Sequence, residues 1–184
     1  MSDMAGPPGE RVDLLPPWAH ASIEVVDVDP AWAGLGLRFA TELDQLLDPW
    51  RTREVQHVGS TAVPGLPAKP VVDLLVPVRD LSDDGYIGAL TSAGWAYVPP
   101  ELDGRPEERF FVLPDEARRV AHLHLMDPGS DWVDVITFRD ALRADRVLRD
   151  GYAALKRRLA VGHANDREAY TRAKASFVRA ALAD

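Results

Sequence analysis

The residue that most constrains this chain is a carboxylate in apolar surroundings. Asp73 stands inside Val71–Val78, the most strongly apolar run of the 184-residue sequence. A run of that length and composition predicts a central strand buried on both faces. A buried carboxylate without a partner is costly, so the fold has to bring a cation, hydrogen-bond donors or a metal to Asp73. The residues before the strand narrow the choice. Glu54–Val58 predicts a second strand, and Gly59, Pro64, Gly65, Pro67 and Pro70 break the chain between the two. A loop beginning His57-Val58-Gly59-Ser60-Thr61 is thereby set beside the carboxylate.

That loop has two chemical readings. A Gly-Ser turn exposes backbone N–H groups and a hydroxyl that can receive phosphate oxygens without side-chain obstruction. Gly59, Ser60 and Thr61 are therefore candidates for phosphate or ligand binding, with Asp73 holding Mg²⁺ or Mn²⁺ against the same phosphates. His57 could orient the loop or a ligand, and Lys69, four residues before Asp73, could add a cation. The structural alternative makes Gly59-Ser60 a tight turn whose serine caps a helix. In that case His57 is a hydrogen-bonded strand end, and Lys69 or an arginine is the ion-pair partner of Asp73.

Residues 1–17, rich in Gly and Pro, predict a flexible N-terminal tail. Residues 18–184 remain as a single domain, a length for which one core is the default. Ile23, Val25, Val26 and Val28 predict a strand closed by Asp29-Pro30, after which Trp32, Leu35, Phe39, Leu43, Leu46 and Leu47 recur at helical spacing. A short helix is expected between residues 81 and 93, then strands at Trp95–Val98, Arg109–Leu113 and Val120–Met126. From Ser130 the pattern turns helical. Ser130-Asp131 predicts a cap for a helix with Trp132, Val135, Ile136 and Leu142 on one side. Two more helices would carry Tyr152, Leu155 and Leu159, and then Tyr170, Phe177 and Ala181. The Tyr152–Lys156 and Tyr170–Lys174 pairs read as helix packing with solvated amines. The expected class is α+β, a mixed β-sheet flanked by helices with a helical C-terminal section.

Lys and Arg number 21 against 29 Asp and Glu, and the net charge of −8 disfavours non-specific attraction to a nucleic-acid polymer. The basic residues are nevertheless clustered at 105–119 and 139–158, where a small phosphorylated ligand could be held. Arg139 and Arg143, four apart on one helix, could clamp an anion, with Arg109 in the same weighing; ion pairing with the surplus acids is the alternative. The absence of cysteine excludes disulfides, thiolate nucleophiles and cysteine-ligated zinc. No window approaches the roughly 20 apolar residues of a membrane span, and the N-terminus lacks a signal-peptide order, so a cytoplasmic protein is expected. Walker A, G-x-S-x-G and H-E-x-x-H patterns do not occur.

The segment HVGSTAVPGLPAKPVVD, residues 57–73, resembles the Gly-Ser signature of the nucleotidyltransferase superfamily and, in its full length, the GrpB family. Further support comes from VVDVDPAW at 25–32, Arg109-Phe110-Phe111, His122-Leu123-His124, FRDALR at 138–143 and the two Tyr–Lys pairs, over roughly residues 22–180. The resemblance implies a nucleotidyltransferase-like fold. By analogy it implies metal-dependent nucleotidyl transfer with Gly59 and Ser60 on the phosphates and Asp73 as the catalytic metal ligand. Active members of the superfamily usually present two carboxylates separated by one residue, and here Leu75 stands on the strand face of Asp73. A two-metal mechanism needs both ions. His122 and His124 share a face of a later strand and could complete a metal site with Asp73, a donor set that suits Zn²⁺, Mn²⁺ or Fe²⁺ better than Mg²⁺. The expected function is binding of a nucleotide or other phosphorylated small molecule, with nucleotidyl transfer if a substitute ligand reaches Asp73. The alternative is a catalytically inactive ligand-binding or accessory module, in keeping with the fusion of GrpB-like domains to dephospho-coenzyme A kinases in some bacteria.

Overall fold

A computed structural model describes residues 16–20, 24–162 and 167–183. The expected tail up to residue 15, and Ile23, lie outside the described residues. Five strands, β1 (Gln56–Val58), β2 (Val72–Pro77), β3 (Ala96–Val98), β4 (Glu108–Asp115) and β5 (Arg118–Met126), form one sheet in the order β1-β2-β5-β4-β3. Only β2 and β5 run parallel, so the sheet is mixed. The helices are α1 (Ala31–Leu46), α2 (Gly85–Ser92), α3 (Pro100–Asp103), α4 (Trp132–Ala144), α5 (Arg146–Gly162) and α6 (Arg167–Ala183). Among the described residues no helix is long and apolar enough to cross a membrane.

The strand alternation divides the sheet into two chemically different faces. Val72, Leu74 and Val76 of β2, with Phe111, Leu123 and Leu125, pack against Phe39 and Leu43 of α1 and Tyr86 and Leu90 of α2. Helix α1 begins where the Asp29 carboxylate accepts the Ala31 N–H at 2.8 Å, and its buried residues Trp32, Gly36, Phe39 and Leu43 recur at intervals of three and four. The opposite face carries Asp73, Leu75, Phe110, His122 and His124. A second apolar cluster, Val63, Leu66, Leu142, Tyr152 and Ala153, joins the 59–70 loop to α4 and α5. The helical section thus covers the loop and the β1 edge, leaving the Asp73 face partly open.

Three expectations change. The strand through Val28 reduces, among the described residues, to one bridge in which Val26 and Ala68 exchange N–H···O bonds of 2.9 and 3.1 Å. Its partner is the proline-broken loop, and Pro67 and Pro70 have no N–H with which to extend a ladder. Ser130 does not cap α4: its hydroxyl donates to Asp127 O at 2.7 Å, and Asp131 makes no side-chain cap bond. Val135 is exposed, because the packed side of α4 centres on Arg139 and Leu142 facing β1 and the loop. Helix α3 was not expected, although Pro100 at its start and the left-handed Gly104 at its end (φ 74°) are its ordinary boundary signals.

Candidate functional site

Strand register assembles the first half of the site. Asp73 on β2 pairs with His122 on the parallel β5, and Leu75 pairs with His124. His124 therefore lies beside the position where a second carboxylate would stand. One ligand atom from each of Asp73, His122 and His124 can be chosen so that all lie within 4.8 Å of one another. His122 Nδ1 donates to the Asp73 carboxylate at 2.9 Å, and His124 Nδ1 donates to Glu108 at 2.9 Å. These partners assign the Nδ1–H tautomers in the ion-free site, and an ion shared by Asp73 and His122 would take the place of their hydrogen bond. His122 Nε2 is buried without a hydrogen-bond partner. The Phe110 ring holds both imidazoles, its centroid 5.1 Å from each.

The charges follow from these contacts. Burial pushes the His122 pKa down, and Asp73 only partly offsets it, so the ring is neutral at pH 7. For His124 burial acts the same way, but the Glu108 hydrogen bond and charge, helped by Asp73, outweigh it and raise the pKa. Burial would raise Glu108, yet His124 and Arg105, the latter at 2.8 Å, hold it at about 2. Burial likewise opposes ionisation of Asp73, and His122, His124 and Lys174 nonetheless carry it below the usual carboxylate range. A histidine thus holds Asp73, in place of the Lys69 or arginine of the structural alternative.

The 59–70 loop supplies the second half. Gly59 has φ 68° and ψ −167°, and a Cβ placed on it would lie 2.3 Å from Asp73 Oδ2. Only glycine lets the backbone come this close to the carboxylate. Ser60–Ala62 then form a single 3-10 turn without a side-chain cap bond. Thr61 donates its hydroxyl to Val71 O at 3.2 Å and accepts from His57 Nε2 at 3.0 Å, which fixes the protonated nitrogen of His57. His57 pairs with Leu74 and so points to the α1 side, where Gly36 leaves room for its ring. Burial, reinforced by Arg143 and Arg139 against a smaller opposing pull from Asp73, lowers its pKa to about 4. His57 and Thr61 are loop supports rather than neighbours of the Asp73 face.

The irregular loop has carbonyls that no ladder satisfies, and the helical section satisfies them. Arg139 donates to His57 O at 2.9 Å and to the Asp140 carboxylate; Arg143 donates twice to Ala62 O, at 3.0 and 2.8 Å. Arg149 reaches Pro64 O and Lys156 reaches Pro67 O. The guanidinium groups expected to clamp an anion are engaged otherwise: Arg143 holds the loop, and Arg139 holds the β1 edge at His57 and Gln56. Arg109 does not join the site either, since it pairs with Leu125 on the far face and bonds Pro106 O and Glu108 O.

Lysines gather on two tyrosine rings. Lys69 and Lys174 each place Nζ 4.5 Å from the centre of the Tyr170 ring, and Lys156 lies 5.1 Å from that of Tyr152. Lys156 is 2% exposed, and burial with the repulsion of Lys174 lowers its pKa to about 7. Lys174 is lowered by burial as well, against the attraction of Asp73. Solvated amines were the expectation for the Tyr–Lys pairs, and burial overturns it. Glu108, Lys156 and Lys174 were missed as site residues. The four-residue Tyr–Lys spacing was the available signal for the lysines, whereas Glu108 meets His124 only through strand register.

One carboxylate and two imidazoles, one of them backed by a carboxylate, fit a single borderline divalent ion. They do not fit a two-ion arrangement, because Leu75, 2% exposed, is apolar at the second ligand position.

Comparison with known proteins agrees with this architecture. A sequence profile described as GrpB protein matches residues 22–184. A UPF0157 protein of Halalkalibacterium halodurans is 38% identical over 162 residues, covering 87% of this chain and 80% of that protein. A dephospho-CoA kinase of Mycolicibacterium paratuberculosis is 30% identical over 189 residues, covering 88% of this chain but 45% of the kinase. The crystal structure of the conserved protein GrpB from Enterococcus faecalis superposes with a TM-score of 0.75 at 27% identity, over 87% of this chain and 95% of that one. The Cid1 poly(U) polymerase shares the fold at a TM-score of 0.51 and 12% identity, over 80% of this chain and 49% of that one. With its mixed five-stranded sheet and nucleotidyltransferase-like fold, the chain belongs to the GrpB family.

Proposed function

We propose that this protein binds a nucleotide or another phosphorylated small molecule together with one divalent ion, held by Asp73, His122 and His124. The observation that carries the reading is the convergence of those three side chains within 4.8 Å, beside a glycine loop pressed against the same carboxylate. Asp73, His122 and His124 would hold the ion, which would supply positive charge for phosphate oxygens, and the chain's own groups do the rest. Gly59 and Ser60 offer an unobstructed backbone edge, and Glu108 keeps His124 oriented. Arg143 and Arg149 keep the loop in place, and Arg139 holds the β1 strand that leads into it.

Thermal shift against ATP, CTP, GTP and UTP, each with Mg²⁺, Mn²⁺ or Zn²⁺, tests the proposal. A ligand at 100 times its Kd stabilises by about 2.7 kcal/mol, which for a domain of this size raises Tm by about 5–10 °C. No shift from any combination removes nucleotide binding. A metal-dependent shift that survives Asp73→Ala removes Asp73 from the site.

A second reading, a binding or accessory module without turnover, is favoured by Leu75. The partial match to a dephospho-CoA kinase, in which the similar region is under half of the protein, supports it as well. Release of pyrophosphate from a bound nucleoside triphosphate separates the two, because a module binds without releasing it.

A further inference from the structure

We propose that the solvent side of α5 is a docking face for a second copy of this chain, the two α5 helices lying antiparallel about a two-fold axis at Ala154. The inference is independent of the proposed function.

Helix α5 has two sides with different surroundings. Tyr152, Ala153 and Lys156 face inward, where the helix packs on the 59–70 loop. Val147 and Val161 face outward, 83% and 88% exposed, more than any other large hydrophobic residue among those described. Exposed hydrophobics scattered singly are ordinary, but these two belong to one helix and one side of it. Their spacing is close to four helical turns, a rise of about 21 Å. Asp150, Ala154 and Arg158 are exposed between them and complete the stripe.

The stripe is complementary to its own reverse. Turned about Ala154, Val147 meets Val161 of the second copy, Asp150 meets Arg158 of the second copy, and Ala154 meets its own counterpart. A two-fold contact repeats every pair, so the interface holds two valine pairs and two ion pairs. A parallel arrangement would instead set Asp150 against Asp150 and Arg158 against Arg158, and like charges in contact repel. Asp150 is 61% exposed and keeps only long contacts within its own chain, 3.5 Å to Arg146 and 3.6 Å to Arg149. Arg157, on the flank of the stripe, is answered in its own chain by Asp27 at 3.1 Å. One helix face buries less than the roughly 1,200 Å² of a standard stable interface, so the dimer is a weak and reversible one.

Sedimentation velocity of the intact protein over a concentration series, with cross-linking of single-cysteine variants, tests the docking face. Wild type should show a reversible monomer–dimer equilibrium. Val147→Lys and Val161→Lys should each weaken it by about tenfold or more, because each substitution enters the interface twice. Asp150→Arg should weaken it through like-charge contact, and Arg158→Asp added to that variant should restore it, a rescue that a general loss of helix stability would not give. The chain has no cysteine, so Ala154→Cys supplies one thiol per copy. At an interaxial distance of about 10 Å two facing Cα atoms lie about 5.4 Å apart, within the span of a disulfide. Diamide should therefore link Ala154→Cys faster than Ala180→Cys, an equally exposed position on α6. Circular dichroism establishes that each variant is folded. A wild type that stays monomeric at every concentration, or a dimer that both valine variants leave unchanged, overturns the docking face. Linking of Ala154→Cys no faster than of Ala180→Cys, or no recovery in the charge-exchanged double variant, overturns the antiparallel register and the proposal with it.

Discussion

Gly59→Ala is the substitution whose cost the structure determines most closely. At φ 68° and ψ −167° the backbone occupies a region open essentially to glycine, and a side chain there costs about 1–3 kcal/mol. The added Cβ would also stand 2.3 Å from Asp73 Oδ2 and 3.0 Å from Asp73 Cβ and Cγ. The carboxylate must rotate away and give up its 2.9 Å bond to His122, a charge-assisted contact worth about 1.5–3 kcal/mol. The combined loss is about 2.5–6 kcal/mol, measurable by urea denaturation of wild type and variant. A double-mutant cycle separates the two parts. In an Asp73→Ala background the carboxylate is gone and only the 3.0 Å approach to the residue-73 Cβ remains, so Gly59→Ala should cost little more than the backbone share, about 1–3 kcal/mol. A cost below about 0.5 kcal/mol in wild type, or equal costs in both backgrounds, would refute the close approach of loop and carboxylate.

Arg143→Ala removes both guanidinium bonds to Ala62 O and should destabilise by about 2 kcal/mol while speeding proteolysis within residues 59–70; unchanged cleavage there would contradict the clamp. Glu108→Gln should lower the His124 pKa in an NMR titration, since the Glu108 hydrogen bond and charge raise it; an unmoved pKa would discount that pair. The raised His124 pKa contributes stability present below the ordinary histidine value and lost as pH rises through the folded value. His57 works in the opposite sense. Its folded pKa of about 4 lies below the ordinary 6.5, so its contribution is complete above pH 6.5 and is lost as pH falls toward 4. An imidazole titrating near 6.5 at His57 would contradict its burial behind Gly36 and Thr61.

Local pattern was sufficient for most of the scaffold. The apolar run around Asp73 is β2, the spacing from Trp32 to Leu43 is α1, and the alternation of His122 and His124 places both on one face of β5. Their meeting with Asp73 could be posed as a question from the missing carboxylate at Leu75, but only the parallel pairing of β2 with β5 answers it. Non-local choices escaped the sequence. A helical arginine serves an anion and a loop carbonyl equally well by pattern, and packing of α4 on the loop decided for the carbonyls. Arg109 was misplaced because it and Phe110 are adjacent in sequence but lie on opposite faces. The lysines of α5 and α6 look solvated until the helices fold back on the proline-rich loop, which buries Lys156 against Pro67.

Metal stoichiometry tests the proposed centre most directly. Wild type, Asp73→Ala and His124→Ala would each be titrated calorimetrically with Mn²⁺ and Zn²⁺ at pH 7.5. Wild type is expected to take up one ion per chain at a single site, with Asp73→Ala abolishing the uptake and His124→Ala weakening it. No uptake by wild type, or the same uptake by Asp73→Ala, would contradict a metal centre built on Asp73, His122 and His124.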